Sequence, residues 1–442
     1  MMFRKQSFLV LALFAFMGMS LVAAPGWADL GEYVRKPEAQ FSWKLKNKIQ
    51  SEQSGDRIYD LHLVSQVWQG IPWEHQLQVY QPQSVAPNST MFLWLTGGSA
   101  RAAHISLGLE LARRIGAPVA FLYHIPNQPL LESKLREDDL IAETFVRYLK
   151  SKDENWPLLF PMVKSVVKAM DVLQAFGRQE WGATINSFII SGASKRGWTT
   201  WLTAAADQRV RAIAPAVIDT LNMRAQMPRQ LEAFGDYSAR LAPYISRGLL
   251  PIPETPEGQR LLSMVDPWVY RDRLTLPKLI INGSNDFYWV TDALNLYWNE
   301  LRGDKWVLYV PNAGHDLRQD GAASDPFAHL INGLAAFSRH QMTGRAMPNL
   351  KWKHETLNGR PRLTVEATPA PTGARLWVAQ APTPDFRRAQ WREQAVTFSN
   401  DLVIGEVTPP EKGYLAFYGE LDYEIDGLKY HLSTQVRMTE GK

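Results

Sequence analysis

The sequence predicts an α/β fold in which helices cover both faces of a mostly parallel sheet, with a small all-β domain at the C-terminus. Short, unbroken apolar runs alternate with helical segments up to about residue 345, as expected of parallel strands that are buried on both faces. Beyond that point, short alternating runs separated by Pro, Gly and Asn are typical of a β-sandwich. We therefore place the all-β, β-sandwich-like domain at residues 346–442.

The N-terminus predicts a secretory signal at residues 1–28. Arg4 and Lys5 precede an uncharged apolar run at 8–24, and small residues up to Ala28 provide a cleavage site. The alternative is an uncleaved membrane anchor, because the apolar run is close to the length that spans a bilayer. We expect a mature chain that begins after Ala28 and is periplasmic or secreted, with membrane contact only through an uncleaved signal.

Composition excludes several classes of protein. The 442 residues are enough for two domains, and a net charge of +4 without a run of Lys or Arg argues against a nucleic-acid partner. A chain without cysteine forms no disulfide, so an exported protein of this kind depends on its core for stability. The sequence has no zinc-peptidase motif and no phosphate-binding loop, and we expect neither a metal nor another cofactor. The oligomeric state stays open.

The first domain, residues 29–345, is expected to begin with an antiparallel hairpin at the edge of the sheet. Residues 58–67 and 74–80 alternate between apolar and polar side chains, and Gly70 and Pro72 lie between the two runs. Apolar strands then follow one another, with helical segments between them. These expected strands are residues 91–95, 119–123, 188–190, 210–217, 278–281 and 306–310.

A turn around a serine is the centre of the expected site. Residues 188–197 read FIISGASKRG, which indicates a buried strand, a tight turn at Ser194 and the start of a helix. In α/β-hydrolases such a nucleophile elbow lifts a serine above the sheet, usually with the pattern G-x-S-x-G. Here Arg196 occupies the position of the final glycine, and Gly197 follows it. The run predicts an α/β-hydrolase fold, with an ordinary strand-to-helix turn as the alternative.

A serine nucleophile needs a base within hydrogen-bond reach and an acid that orients this base. In α/β-hydrolases the chain order is serine, acid, histidine. Four of the nine histidines precede Ser194, two lie in the all-β domain, and two belong to the expected last helix of the first domain. His315 remains, in a loop that directly follows a strand. We predict that His315 is the base, and a solvated loop histidine is the alternative.

Asp286 is the predicted acid, because it follows the preceding strand by only a few residues. Asp219, which ends the strand before that one, is the alternative acid. The oxyanion that forms during acyl transfer also needs two N–H donors. We assign one donor to the backbone of Lys195, the residue after the serine, and the other to Gly98 or a direct neighbour in the loop after the first parallel strand.

Three further features concern the substrate. Lys195 and Arg196 would suit an anionic substrate, or they pair with internal acids and brace the turn. The acids at 137–139 would suit a substrate amine, or they begin an exposed helix. Residues 221–276 contain several prolines and no expected strand. They form either a lid over the carboxyl ends of the strands, where ligands bind in open α/β sheets, or a surface insertion far from the site.

Several short motifs of the first domain are similar to those of a known family. They are REDDLIA at 136–142, WP at 156–157, PMVK at 161–164, SGASKRGW at 191–198, IDTLNM at 218–223 and PNAGH at 311–315. With them the chain resembles the PhoPQ-activated pathogenicity-related proteins, a family with an α/β-hydrolase-like fold. The resemblance implies an exported protein, linked in some bacteria to envelope stress and virulence, and it makes the run around Ser194 a family feature. It supplies no substrate, and the family also resembles a secreted eukaryotic regulator of cell proliferation.

We therefore expect an exported serine hydrolase that cleaves an ester or amide bond of a small-molecule ester or peptide through an acyl-enzyme on Ser194. The competing interpretation is a secreted binding or signalling protein that uses the fold with little or no catalysis. Close approach of Ser194, Asp286 and His315 above the carboxyl ends of the strands would favour the enzyme.

Overall fold

The computed structural model describes residues 29–319, 321 and 325–441. The predicted signal at residues 1–28 lies outside this part of the chain. Among the helices of the described residues, none combines the length and the apolar composition that are needed to cross a bilayer.

Strands and helices alternate over the first domain, in agreement with the sequence pattern. In the described residues before 345, the strands are β1 (Ser42–Gln50), β2 (Arg57–Trp68), β3 (Ile71–Gln81), β4 (Thr90–Leu95), β5 (Val119–Leu122), β6 (Ser187–Ala193), β7 (Val210–Ala216), β8 (Lys278–Gly283) and β9 (Lys305–Val310). The helices are α1 (Leu30–Arg35), α2 (Ala102–Ile115), α3 (Glu137–Ser151), α4 (Leu159–Trp181), α5 (Lys195–Ala206), α6 (Met223–Phe234), α7 (Ala242–Ile245), α8 (Pro256–Val265) and α9 (Ala328–Thr343).

The central sheet has the α/β-hydrolase arrangement. Strands β5, β4, β6, β7, β8 and β9 lie side by side in this order and run parallel, and the antiparallel pair β2–β3 joins them at β5. Successive side chains of a strand point to opposite faces. In β4, Leu93 packs in the cluster that contains α4 and α5, whereas Phe92 packs in the cluster that contains α2 and α9. Helices thus cover both faces, and the strands are buried.

The expected hairpin at the edge is present, but it is not the outermost element. β2 pairs with β3 as predicted, with Leu61 opposite Leu77, and β1 adds a further antiparallel strand outside β2. β1 was not predicted, although Lys44, Lys46 and Lys48 alternate with Trp43 and Leu45, which pack on the core; most of its residues are exposed. Lysines on an edge strand discourage pairing with another chain.

The C-terminal strands form two sheets, one of which continues the central sheet. They are β10 (Asn349–Leu357), β11 (Arg360–Thr368), β12 (Gly373–Ala381), β13 (Arg392–Gln394), β14 (Thr397–Ser399), β15 (Leu402–Glu406), β16 (Tyr414–Ile425), β17 (Leu428–Ser433) and β18 (Arg437–Glu440). β17 pairs with β9 at Ser433 and Val307, so that β17, β16, β12 and β13 extend the central sheet, with β18 beside β16. The order of the second sheet is β10-β11-β15-β14.

These two sheets pack closely face to face. A Cβ atom added at Gly405 of β15 would lie 2.6 Å from the side chain of Leu376 in β12, so a larger residue would not fit there. The predicted start of the all-β region falls between α9 and β10. The sequence did not predict that this region shares a sheet with the first domain.

The segment between β7 and β8 folds into α6, α7, α8 and short 3₁₀ turns, and it contains no strand. Its two ends meet at Asp266, whose carboxylate accepts the backbone N–H groups of Met223 and Trp268, each at 2.9 Å. Thr255 caps α8 by accepting the N–H of Gly258 at 3.1 Å. The segment is therefore a compact insertion between β7 and β8 whose beginning and end are linked to each other. We refer to residues 221–276 as the lid.

Candidate active site

Ser194 lies in the sharp turn between β6 and α5, with φ 58° and ψ −125°. A left-handed φ is rare for a residue other than glycine and is typical of functional sites. The turn needs small neighbours. A Cβ atom at Gly192 would lie 2.8–2.9 Å from Arg196, and one at Gly197 would lie 2.9 Å from the carbonyl oxygen of Ala216. The backbone thus has the form of a nucleophile elbow, with Ser194 at its tip.

Arg196 connects the elbow to three other segments. Its Nε donates to the carbonyl of Ile125 at 2.5 Å, and its two terminal nitrogens donate to both carboxylate oxygens of Glu137 at 2.6 and 2.8 Å. A Cβ atom at Gly97 would lie 1.6 Å from the guanidinium, so this glycine makes room for it. Arg196 therefore holds together the loop after β4, the loop after β5 and the start of α3.

His315 and Asp286 are in contact, as the chain order predicts. Nδ1 of His315 lies 2.8 Å from Oδ2 of Asp286, and the other carboxylate oxygen accepts the backbone N–H of Tyr288 at 2.8 Å. The ring of Tyr288 covers the imidazole, with 4.2 Å between ring centres. A carboxylate on Nδ1 fixes the tautomer that leaves Nε2 free to accept a proton.

Nε2 of His315 is buried and has no hydrogen-bond partner among the described residues. His315 and Ser194 both line one cavity of about 390 Å³. The hydrogen bond that we expected between them is not formed. Catalytic hydrogen bonds are often loose without substrate. The structure thus brings His315 and Ser194 to the same cavity without a hydrogen bond between them.

Asp219, the alternative acid, does not contact His315. Its carboxylate is buried and accepts hydrogen bonds from Nδ2 of Asn282 at 3.0 Å and from the hydroxyl of Tyr297. Burial raises its pKa to about 7, which the hydrogen bond from Tyr297 only partly offsets. Asp286, and not Asp219, is therefore the carboxylate on the imidazole.

The two expected oxyanion donors differ in their position. Lys195 is the first residue of α5 and lines the cavity next to Ser194. Gly98 does not line the cavity, and its carbonyl accepts the N–H of His124 at 3.3 Å. A Cβ atom at Gly98 would have open space around it. The geometry therefore supports a role for the backbone of Lys195 more directly than one for Gly98.

The lid contributes most of the cavity wall. Residues from α6, α7, α8 and their connections face Ser194 across the cavity, among them Met227, Leu241 and Ile252. The alternative that the segment is a surface insertion far from the serine does not agree with this position.

The family of the chain follows from a comparison with known proteins. The model of the family described as PhoPQ-activated pathogenicity-related protein matches residues 30–387, a range that includes Ser194, Asp286 and His315. The chain belongs to this family. The autocrine proliferation repressor protein A of Dictyostelium discoideum is 32% identical over 443 residues, covering 92% of this chain and 88% of that protein. The resemblance read from the sequence motifs is thereby confirmed.

Solved structures similar to this family member include esterases and a peptidase. The acetyl xylan esterase 1 of a Thermoanaerobacterium species covers 71% of this chain and 94% of its own, with a TM-score of 0.49 and 14% identity. The acetyl xylan esterase of a Paenibacillus species covers 65% and 87%, with a TM-score of 0.48 and 14% identity. The acylaminoacyl peptidase of Pyrococcus horikoshii covers 68% and 50%, with a TM-score of 0.42 and 12% identity. The fold assignment rests on the strand order and the elbow of this chain itself.

Asp138, one of the acids at 137–139 for which the sequence left two roles open, lies in this site. Its carboxylate lines the cavity, lies 2.7 Å from the ammonium of Lys195 and accepts the hydroxyls of Tyr244 at 3.1 Å and Tyr288 at 3.3 Å. Asp138 thus joins the elbow, the lid and the loop after β8. The REDD motif was a usable signal, because Glu137 and Asp138 pair with the two cations that follow Ser194.

One group outside this site has the donor atoms of a metal site. In the part of the chain that the structure describes, ligand atoms of His329, Glu420 and His431 lie within 4.8 Å of one another. The two imidazole rings are nearly parallel, at 21°, with 4.3 Å between their centres, so one ion cannot lie in the planes of both rings. Arg375 pairs with Glu420 and Asp422, and Asp422 accepts from His431 at 2.7 Å. We interpret the group as an ion-pair network.

Proposed function

We propose that this family member is a serine hydrolase that cleaves an ester or amide bond through an acyl-enzyme on Ser194. One observation carries the proposal. Nε2 of His315 is buried at the wall of the cavity that contains Ser194 and has no partner in the described part of the chain, while Nδ1 is held by Asp286. Leaving a buried polar atom unsatisfied destabilises a protein, so such an atom calls for an explanation. The proposed role of His315 as the general base, which accepts the proton of Ser194, provides this explanation.

In the proposed reaction, the hydroxyl of Ser194 attacks the carbonyl carbon of the substrate while Nε2 of His315 accepts its proton. Asp286 stabilises the imidazolium that forms. The backbone N–H of Lys195 and a donor from the loop at Gly98 stabilise the oxyanion. The imidazolium then protonates the leaving alcohol or amine, and a water molecule repeats the sequence on the acyl-enzyme. The hydrogen bond between Ser194 and His315 forms when the substrate fills the cavity.

The cavity suits this chemistry because the lid lines it with apolar side chains, which lower the dielectric constant around the serine. Hydrogen bonds to a developing charge are worth more in a site of low dielectric constant than in water. The lid walls next to Ser194 are apolar, as Met227, Leu241 and Ile252 illustrate.

A second candidate function is supported by the name of a relative. The protein of Dictyostelium discoideum that is 32% identical is called an autocrine proliferation repressor, which indicates a secreted signal. A signalling protein with this fold would keep the cavity for binding and would show no turnover that depends on Ser194. Activity measurements on variants therefore separate the two candidates.

Hydrolysis of small esters and of aminoacyl anilides by the purified protein tests the proposal. We expect release of p-nitrophenol or p-nitroaniline by the wild type, and losses on the order of 10⁶ in kcat for Ser194→Ala and for His315→Ala, as in a serine protease. Ser399→Ala, in the exposed strand β14 and outside the cavity wall, is the matched control and keeps activity. Equal rates for the wild type and Ser194→Ala would reject the enzyme and favour the signalling protein.

We also propose that residues 1–28 direct export from the cytoplasm. The support is the basic start, the apolar run and the small residues up to Ala28. N-terminal sequencing of the protein from fractionated host cells tests the proposal, with a start near Asp29 outside the cytoplasm as the expected result. Recovery of intact chains from the cytoplasmic fraction alone would contradict export.

A further inference from the structure

The lid lines the cavity with apolar side chains of different lengths. Facing the serine are, among others, Met227, Leu231, Leu241, Leu249, Ile252 and Leu262. Phe145, Trp198 and Trp289, which lie outside the lid segment, complete the apolar surface. A ligand group in this space leaves water for an apolar environment, and the gain is roughly proportional to its apolar area.

The charges that lie close to Ser194 are already paired. The ammonium of Lys195 is 2.7 Å from Asp138, and their side chains are only 10% and 14% exposed. Asp138 also accepts two tyrosine hydroxyls, and Arg196 is buried against Glu137. An anionic substrate would have to break one of these pairs and leave a buried carboxylate without its cation, which is strongly unfavourable.

The other charged residues of the cavity wall lie at its mouth. Arg224 and Glu254 belong to the lid and are exposed, and Arg224 donates to Gln259. Their opposite charges favour neither an anion nor a cation at the entrance. The interior of the cavity therefore favours an uncharged ligand group.

We infer that the cavity takes a neutral ester whose acyl group is a medium-length alkyl chain lying under the lid. This inference rests on the proposed serine hydrolase, and it adds a substrate class to it. A volume of about 390 Å³ is larger than an acetyl group needs and lies within the range of small-molecule pockets. An acidic sugar ester and a peptide with a charged side chain at this position are excluded by the paired charges.

A chain-length series of p-nitrophenyl esters tests the substrate class. With acetate, butyrate, octanoate and palmitate esters, we expect kcat/KM to rise about fourfold per buried methylene until the cavity is full, and to fall again for palmitate. The p-nitrophenyl monoester of succinic acid, which has the length of the butyrate ester but a carboxylate at its end, should be at least about tenfold poorer than the butyrate ester.

Substitutions in the lid test whether the cavity determines this preference for acyl chain length. Met227→Trp fills the space and should move the optimum to shorter chains, whereas Met227→Ala enlarges it and should move the optimum to longer ones. Ile245→Trp is the control, because Ile245 belongs to the same lid, is exposed and does not line the cavity. If thermal unfolding shows that Met227→Trp is not folded, the shift of the chain-length optimum is measured with Met227→Ala.

Two different results separate this inference from the function on which it rests. Turnover that depends on Ser194 but is fastest with acetate, or equally fast with the succinate monoester, would overturn the substrate class and leave the serine hydrolase standing. An unchanged chain-length optimum in folded Met227 variants would overturn it as well. Absence of any turnover that depends on Ser194 would instead remove the proposed function itself.

Discussion

The imidazole of His315 and the carboxylate of Asp286 are 2.8 Å apart, and both oxygens of Asp286 are engaged. One oxygen accepts from the imidazole and the other from the backbone of Tyr288, so the carboxylate cannot rotate freely. Asp286 is also buried, which keeps this contact away from competing water. In the proposed reaction, this arrangement lets Asp286 orient the imidazole of His315 and stabilise its cation.

Replacement of Asp286 by Asn should leave the fold intact and lower kcat by about 10⁴, the effect of the same change in a serine protease. The amide cannot accept the proton of Nδ1 when its nitrogen faces the ring, so the imidazole adopts the wrong tautomer. Steady-state kinetics together with circular dichroism check this expectation. A folded Asp286→Asn protein with kcat within a few fold of the wild type would show that Asp286 is not the acid.

Asp219→Asn should change the pH dependence of stability more than the activity. Burial raises the pKa of Asp219 to about 7 from its ordinary 3.8. The contribution of such a group to stability is complete below about pH 4 and is lost as the pH rises to about 7, because the unfolded chain ionises more easily. Asn does not ionise, so Tm of the variant minus Tm of the wild type should increase from pH 4 to pH 7. A difference that is constant with pH would contradict this.

Arg196→Lys should lower kcat with little change in KM. Lysine cannot contact Glu137 through two nitrogens and the carbonyl of Ile125 at the same time, and it lacks the guanidinium that packs against Gly97, so the loop after β4 can shift. Small displacements of an oxyanion donor reduce rates on the order of 10²-fold. Arg113→Lys, which changes another arginine–carboxylate pair far from the serine, is the control. Equal kinetics of both variants and the wild type would mean that Arg196 does not position the site.

Tyr288 allows its ring and its hydroxyl to be tested separately. Tyr288→Phe keeps the ring that covers His315 and removes only the hydrogen bond to Asp138, so its kcat should stay close to that of the wild type. Tyr288→Leu removes the aromatic face that stabilises the imidazolium, and its kcat should fall on the order of tenfold. Equal losses in both variants would indicate that the hydroxyl, and not the ring, matters.

The sequence was sufficient for those parts of the site that are local. Ser194, Asp286 and His315 each follow a buried apolar run, and the ends of neighbouring parallel strands meet at one edge of a sheet. Chain order then left His315 as the only histidine in a suitable place. The choice between Asp286 and Asp219 was open, because both follow strands, and only side-chain positions decide which one reaches the imidazole.

The rest depends on contacts between segments that are distant in the chain. Tyr288 donates to Asp138, which lies 150 residues earlier in the chain, and no local sequence pattern predicts such a pair. The C-terminal strands join the central sheet through a single bridge between Ser433 and Val307, which has no sequence signature. β1 was not predicted although Trp43 and Leu45 alternate with lysines, because most of its residues are exposed and only its pairing with β2 defines it as a strand. Long-range side-chain geometry is thus what the structure adds to the motifs.

Labelling with a fluorophosphonate is the most direct test of Ser194 as the nucleophile. The probe reacts with an activated serine, and digestion followed by mass spectrometry locates the modified residue. We expect a single adduct on Ser194 in the wild type, greatly slowed labelling of folded His315→Ala, and no labelling of folded Ser194→Ala. An unlabelled wild type, or an adduct on another residue that persists in Ser194→Ala, would contradict the proposed chemistry.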